Sequence, residues 1–172
     1  MPLRNRLIPA LAMLLLAAPA AADLPPPPPD YPSHRDAGVC NQQQLRQELS
    51  AYNHERLRLA EVLRHLATVE PLQPATHERL LGYAAHLDEM RQKLPDPDPD
   101  SNAFRNFDFQ LGMTLTAIAL FLNSADDQLA ALFTAERDDP ASHLGRYLAE
   151  LEVSRATYMD HLDSARSTDC RS

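Results

Sequence analysis

The stretch LGMTLTAIALFL, residues 111–122, carries no charge and only two hydroxyls in twelve residues. It is too short to cross a membrane, which takes a helix of about 20 apolar residues, and too apolar to lie bare on a solvated surface. Something must cover it. Extended in both directions, it becomes a helix with Phe104, Phe107, Leu111, Ile118 and Phe121 on one face. Met113, Leu115, Leu120 and Leu122 occupy the other faces. A helix that is apolar all round belongs at the most enclosed place in its domain. Two covers satisfy this requirement. Neighbouring helices, with segment 126–137 folded over the remaining face, would bury the four extra side chains, worth about 6–12 kcal/mol. Alternatively one face stays open as a groove for another protein, and Met113, Leu115, Leu120 and Leu122 are then the docking residues.

The flanking sequence is helical on both sides. Asn41 followed by Gln44 has the form of a capping box. Leu45, Leu49, Tyr52, Leu59, Leu63 and Leu66 then recur at helical spacing until EPLQP, residues 70–74, ends the first helix. Thr76 is placed to cap a second helix with the stripe Leu80, Tyr83, Leu87, Met90 and Leu94. The prolines of PDPDPDS, residues 95–101, stop that helix, and Ser101 caps the apolar one. Lacking the glycine and distal glutamate of an EF-hand loop, this segment reads as a rigid acidic hinge. In NSADD, residues 123–127, Ser124 and Asp127 stand at cap and third position, predicting a kink and a short continuation. Asp139-Pro140 has the form of a cap with proline at the first helical position. The last helix then presents Leu144, Leu148, Leu151, Tyr158 and Leu162 and runs to about residue 167. Four long helices with short connections predict an all-α antiparallel four-helix bundle with a kinked or split third helix. Only four glycines and no alternating β-branched run argue against a sheet.

The ends of the chain speak to compartment. Arg4 and Arg6, the apolar run 7–16 and the small residues of APAAAD, residues 18–23, have the form of a secretory signal over 1–22. No cysteine follows the expected cleavage point, so no lipid or membrane anchor is expected. Fifteen arginines against one lysine point to a GC-rich bacterium and hence to the periplasm. Residues 23–38, including five consecutive prolines, form an expected stiff spacer, leaving 39–172 as the helical domain. Cys40 and Cys170 bracket that domain. In an oxidising compartment an isolated pair is most simply a disulfide, worth about 4–5 kcal/mol for a loop of this length. It would join the start of the first helix to the end of the last.

Without Arg4 and Arg6, 14 basic side chains face 24 acidic ones, a formal charge of −10. That balance disfavours nucleic acid and anionic membrane surfaces; it favours solubility or a basic protein partner. No G-x-S-x-G, phosphate loop, H-E-x-x-H or C-x-x-C-H motif occurs. Glu61 with His65, and Glu78 with His86, lie at helical spacing, but solvated surface pairs are the simpler reading. Arg56 and Arg155 interrupt the inner stripes, sixteen residues after Cys40 and fifteen before Cys170. At about 1.5 Å per residue they share one level. Two such charges need acids, such as Glu152, a route to solvent, or a carboxylate from a partner or ligand.

PDPDSNAFRNFDF, residues 97–109, followed by a long apolar helix, resembles the hinge and third helix of the small periplasmic b-type cytochrome that folds as a four-helix bundle. SRATYMDH, residues 154–161, is similar to the closing segment of that family. The likeness spans about 30 residues. It implies the bundle fold, and as an alternative function a haem- or metal-carrying role. Such a family holds iron with a methionine early in the first helix and a histidine after the last-helix tyrosine. Here Met159 follows Tyr158 and the first helix has no methionine, leaving His161 or His54 as substitutes. The expectation is therefore a periplasmic, non-enzymatic protein without a cofactor. It would bind another protein as an inhibitor or immunity protein, chaperone or adaptor, with a homodimer also compatible.

Overall fold

The structure, a computed structural model, describes residues 42–69 and 72–167. Among these residues it is all-helical: α1 (Gln42–Leu57), α2 (Leu59–Val69), α3 (Pro74–Gln92), α4 (Asn102–Ser124), α5 (Asp127–Asp138) and α6 (His143–Ser167). No helix described is long and apolar enough to cross a membrane. The signal sequence, the proline-rich spacer, Asn41 and both cysteines lie outside the described residues.

The expected first helix is present but bent at Arg58. Its apolar spacing continues across the bend, and Leu45, Leu49, Tyr52, Leu59, Leu63 and Leu66 are all buried. The backbone ladder does not continue. The amide of Glu61 donates to the Arg58 carbonyl at 2.9 Å, three residues back instead of four. The Leu57 carbonyl instead accepts from the Arg91 guanidinium of α3 at 3.1 Å, and the Arg56 carbonyl accepts from the Tyr147 hydroxyl of α6 at 3.3 Å. Donors entering a ladder from neighbouring helices are a recognised cause of kinks. Burial pushes the Tyr147 hydroxyl far above the ordinary tyrosine range, so it remains a donor.

The helix starts differ from expectation in three places. Proline occupies the first position of α3, so Thr76 lies inside the helix rather than capping it. Its hydroxyl donates to Asp126 at 2.7 Å. Asp126, not Ser124, caps α5, accepting from the Leu129 amide at 2.6 Å. Aspartate is the better acceptor, and Ser124 is occupied as the last residue of α4, donating to the Leu120 carbonyl. Asp139 to Ser142 form a turn, and α6 begins only after it, with Ser142 accepting from the Gly145 amide at 2.8 Å. Ser101 caps α4 as expected, at 3.1 Å from the Phe104 amide.

Pairs of contacts give the helix directions. Glu48 meets His161 and Arg58 meets Glu150, so α6 runs opposite to the first helix. Arg64 meets Asp88 and Glu61 meets Arg91, so α3 runs opposite to α2. Thr76 reaches Asp126 while Tyr83 packs on Phe121, 5.5 Å between ring centres, so α3 and α4 are also opposed. The larger core cluster draws on α1 to α6; a smaller one unites Leu45, Leu49, Phe104, Tyr158, Leu162 and Ala165. α4 comes into close backbone approach chiefly with α5, and its long inner side chains span the distance to the other helices.

Two glycines should respond oppositely to alanine. A Cβ at Gly145 would stand 2.1 Å from the Asp139 carbonyl oxygen, whereas one at Gly82 meets nothing within 4 Å. Gly145→Ala should lose about 1–3 kcal/mol by overpacking, and exposed, mid-helix Gly82→Ala should gain about 0.5–1 kcal/mol; chemical denaturation measures both.

The hydrogen bonds from Leu129 and Thr76 hold the Asp126 carboxyl below its usual range. Its folded form therefore resists protonation. This contribution to stability is present above the ordinary carboxylate value, near about pH 4, and is lost as pH falls through the folded value. Asp126→Asn should flatten the stability profile in that acid window and leave its slope unchanged near neutrality.

Candidate functional site

Two features rise above ordinary helix packing: a charged layer inside the fold, and an apolar face outside it. Both are carried by α4.

The inner layer lies between the two core clusters. On α1 it follows Leu49, on α4 it falls between Phe104 and Leu111, and on α6 between Leu151 and Tyr158. Arg56 has no solvent exposure, and its guanidinium donates to Asp108 of α4 at 2.6 Å and to Asn53 at 3.0 Å. It also lies over the Tyr52 ring, 5.6 Å from its centre. Arg155 is one-third exposed and donates to Glu152 at 3.1 Å. The Tyr52 hydroxyl feels both pairs. Burial raises its pKa, the two arginines oppose that rise, and Asp108 and Glu152 add to it.

The level shared by Arg56 and Arg155 is thus seen in their common effect on Tyr52. Each arginine nevertheless has an acid of its own, so the structure supplies the counter-charges that a bound carboxylate was invoked to provide. Arg56 is sealed from any partner's surface. Glu152 was foreseen as an acid here and Asp108 was not. A signal for Asp108 existed: it is the one charged member of the 4–3 stripe Phe104, Asp108, Leu111, Leu115, Ile118 and Leu122.

The outer face corrects the expectation of an enclosed helix. Leu115 and Leu122 are buried, but Met113 is 59% and Leu120 62% exposed. Phe109, absent from the expected docking set, is 70% exposed. α5 covers none of these three. Its buried Leu129 and Phe133 join the core beside α4 and α6. The reason is geometric. α5 leaves α4 through the Asp126 cap, which Thr76 ties to α3 on the inner side, so α5 packs across the domain instead of folding back over the outer face. At its C-terminal end the outer face opens into a groove of about 550 Å³ between α3 and α4, lined in part by Arg79, Tyr83, Ala117, Leu120 and Phe121. Arg79 lies over the Phe121 ring at 5.2 Å.

Six of the seven histidines lie among the described residues. No group of three potential ligands occurs among the described residues. His161 pairs with Glu48, and exposed His54 is bonded to the Ser50 carbonyl at 2.8 Å. His65 stacks on His143 with ring centres 3.9 Å apart, while Glu61 faces Arg58 and Arg91. Both Glu78 and His86 are exposed. Met159 packs against the smaller core cluster. No family model, curated protein or solved structure matches the chain.

Asp108→Ala takes its acid from the enclosed Arg56 charge and should cost about 3–5 kcal/mol, whereas Arg155→Ala, at a pair about half open to solvent, should cost about 1 kcal/mol. Thermal or urea unfolding of the two variants separates these values.

Proposed function

We propose that the chain is an exported, non-catalytic protein that acts by binding another protein through the outer face of α4. The observation that carries this reading is the exposure of Phe109, Met113 and Leu120 on one side of a helix whose other side is core. Single exposed apolar residues are ordinary, but a row of large ones marks an interaction site. Export and a periplasmic location rest on the signal-like first 22 residues. The acidic balance fits a soluble protein or one with a basic partner. An inhibitor or immunity role, a chaperone role and an adaptor role all use such a face. The first predicts tight binding to one partner, and the chaperone role weaker binding to many.

The fold under this reading is an antiparallel four-helix bundle. The bent α1–α2 rod, α3, α4 and α6 are its four members, with α5 as a short addition, and a Cys40–Cys170 bridge closes it. The antiparallel contacts between α1 and α6 support this bridge, since Leu45 shares a cluster with Leu162 and Ala165, near the two cysteine positions in sequence.

Affinity capture from the exported fraction tests the proposal. A specific protein retained by the wild-type chain should be weakened at least about 30-fold by Phe109→Glu or Leu120→Glu, the effect of losing a hot spot of about 2 kcal/mol. Circular dichroism should be unchanged, because both side chains are exposed. Retention of the same proteins by wild type and variants alike would overturn the assignment of this face.

A further inference from the structure

Resting on the reading of the α4 outer face as a binding surface, we infer that in the isolated protein this face is occupied by the same face of a second copy, laid antiparallel, which a different partner would have to displace. Phe109, Met113, Thr116 and Leu120 are all exposed and follow one another at 4–3–4 spacing. That is the spacing of a seam between two helices crossing at about 20°. The inner stripe of α4 uses different residues, so the seam is free while the core is intact.

Three observations fix the partner and its direction. First, α4 carries no charge between Asp108 and Asp126, in a chain of formal net charge −8. Two copies of so acidic a protein approach most readily where each is neutral, and this face is neutral from Phe109 to Leu120. Second, the direction follows from shape: a parallel pair would set exposed Phe109 against the second copy's Phe109 and leave the groove beside Leu120 unfilled, whereas an antiparallel pair brings Phe109 and that groove together.

Third, the surface is complementary to itself. A two-fold axis passing between Thr114 and Leu115 sets Phe109 against the second copy's Leu120, and Met113 against its Thr116. Phe109 then lies at the mouth of the groove beside Leu120, the groove that Arg79, Tyr83 and Phe121 line. The large knob at one end of the face meets the recess at the other end, twice, as an isologous interface requires. The seam runs over the twelve residues from Phe109 to Leu120, about 17 Å along the helix, which is short for a standard interface. A weak dimer, sensitive to dilution, follows.

Sedimentation of the purified exported protein over a concentration series tests this. The mass should double between dilute and concentrated samples for the wild type, and stay at the monomer value for Met113→Glu. A second pair of variants tests the register: tagged Met113→Glu should be retained by untagged Thr116→Lys at least about tenfold better than by wild type, an ion-pair rescue of about 1.4 kcal/mol. A wild-type monomer at every concentration overturns the inference, whether another protein or the chain's own residues 23–38 cover the face. If capture of a different protein still depends on Phe109 and Leu120, the proposed function survives that failure. A dimer that persists in Met113→Glu places the interface elsewhere. Monomeric Met113→Glu without rescue by Thr116→Lys overturns the antiparallel register.

Discussion

A helix can turn only one side to a core, and α4 has apolar side chains on two. Its inner stripe, from Phe104 through Leu111 and Ile118 to Phe121, is buried. Each of these side chains is worth about 1.5–3 kcal/mol in burial, and together they anchor a helix whose backbone stands off from most of its neighbours. The opposite stripe has no place in that core. Phe109, Met113 and Leu120 keep most of their surface in solvent, leaving unused the same kind of stabilisation that holds the inner side. The difference between the two sides of this one helix links the fold of the chain to its proposed binding role.

The charged layer has a different role. Arg56 and Asp108 interrupt the apolar stripes of two helices at matching positions with opposite charge. Removing Asp108 takes this acid from the enclosed Arg56 charge, which is more costly than replacing both with well-packed apolar residues. Such a pair adds little net stability but penalises misalignment. A slide of α4 by one turn along α1 would separate Asp108 from the enclosed Arg56 guanidinium. The pair thereby adds a register constraint to the apolar stripe that already turns this side of α4 inward.

Much of this was legible in the residues. Spacing alone placed Leu45 to Leu66, Leu80 to Met90, and Leu144 to Leu162 on inner stripes, and Ser101 at its cap. The bend at Arg58 was not legible, because the donors that interrupt the ladder come from Arg91 and Tyr147, far along the chain. The start of α6 was displaced for a similar reason. Asp139-Pro140 has good capping chemistry, but Ser142 joins the Glu136 carbonyl to the Gly145 amide and delays the helix. For the site, Met113 and Leu120 were recognised as outward candidates, while Leu115 and Leu122 were not separated from them. Two stripes on one helix overlap in sequence, and the one that carries Phe104, Leu111 and Ile118, with Asp108 against Arg56, faces in. Phe109 stands outside the uncharged run 111–122 and next to Asp108, so that run does not mark it as part of the outer stripe.

The central claim is that another chain covers the outer face of α4. Mild peroxide oxidation, read by mass spectrometry, tests it at Met113, because thioether oxidation follows exposure. Met90, 6% exposed, serves as the buried reference. The account predicts that Met113 is protected in the concentrated exported fraction and is oxidised rapidly once the protein is purified and diluted, while Met90 stays protected in both. Equal, rapid oxidation of Met113 in the two samples would show a face that nothing covers, and would contradict the account.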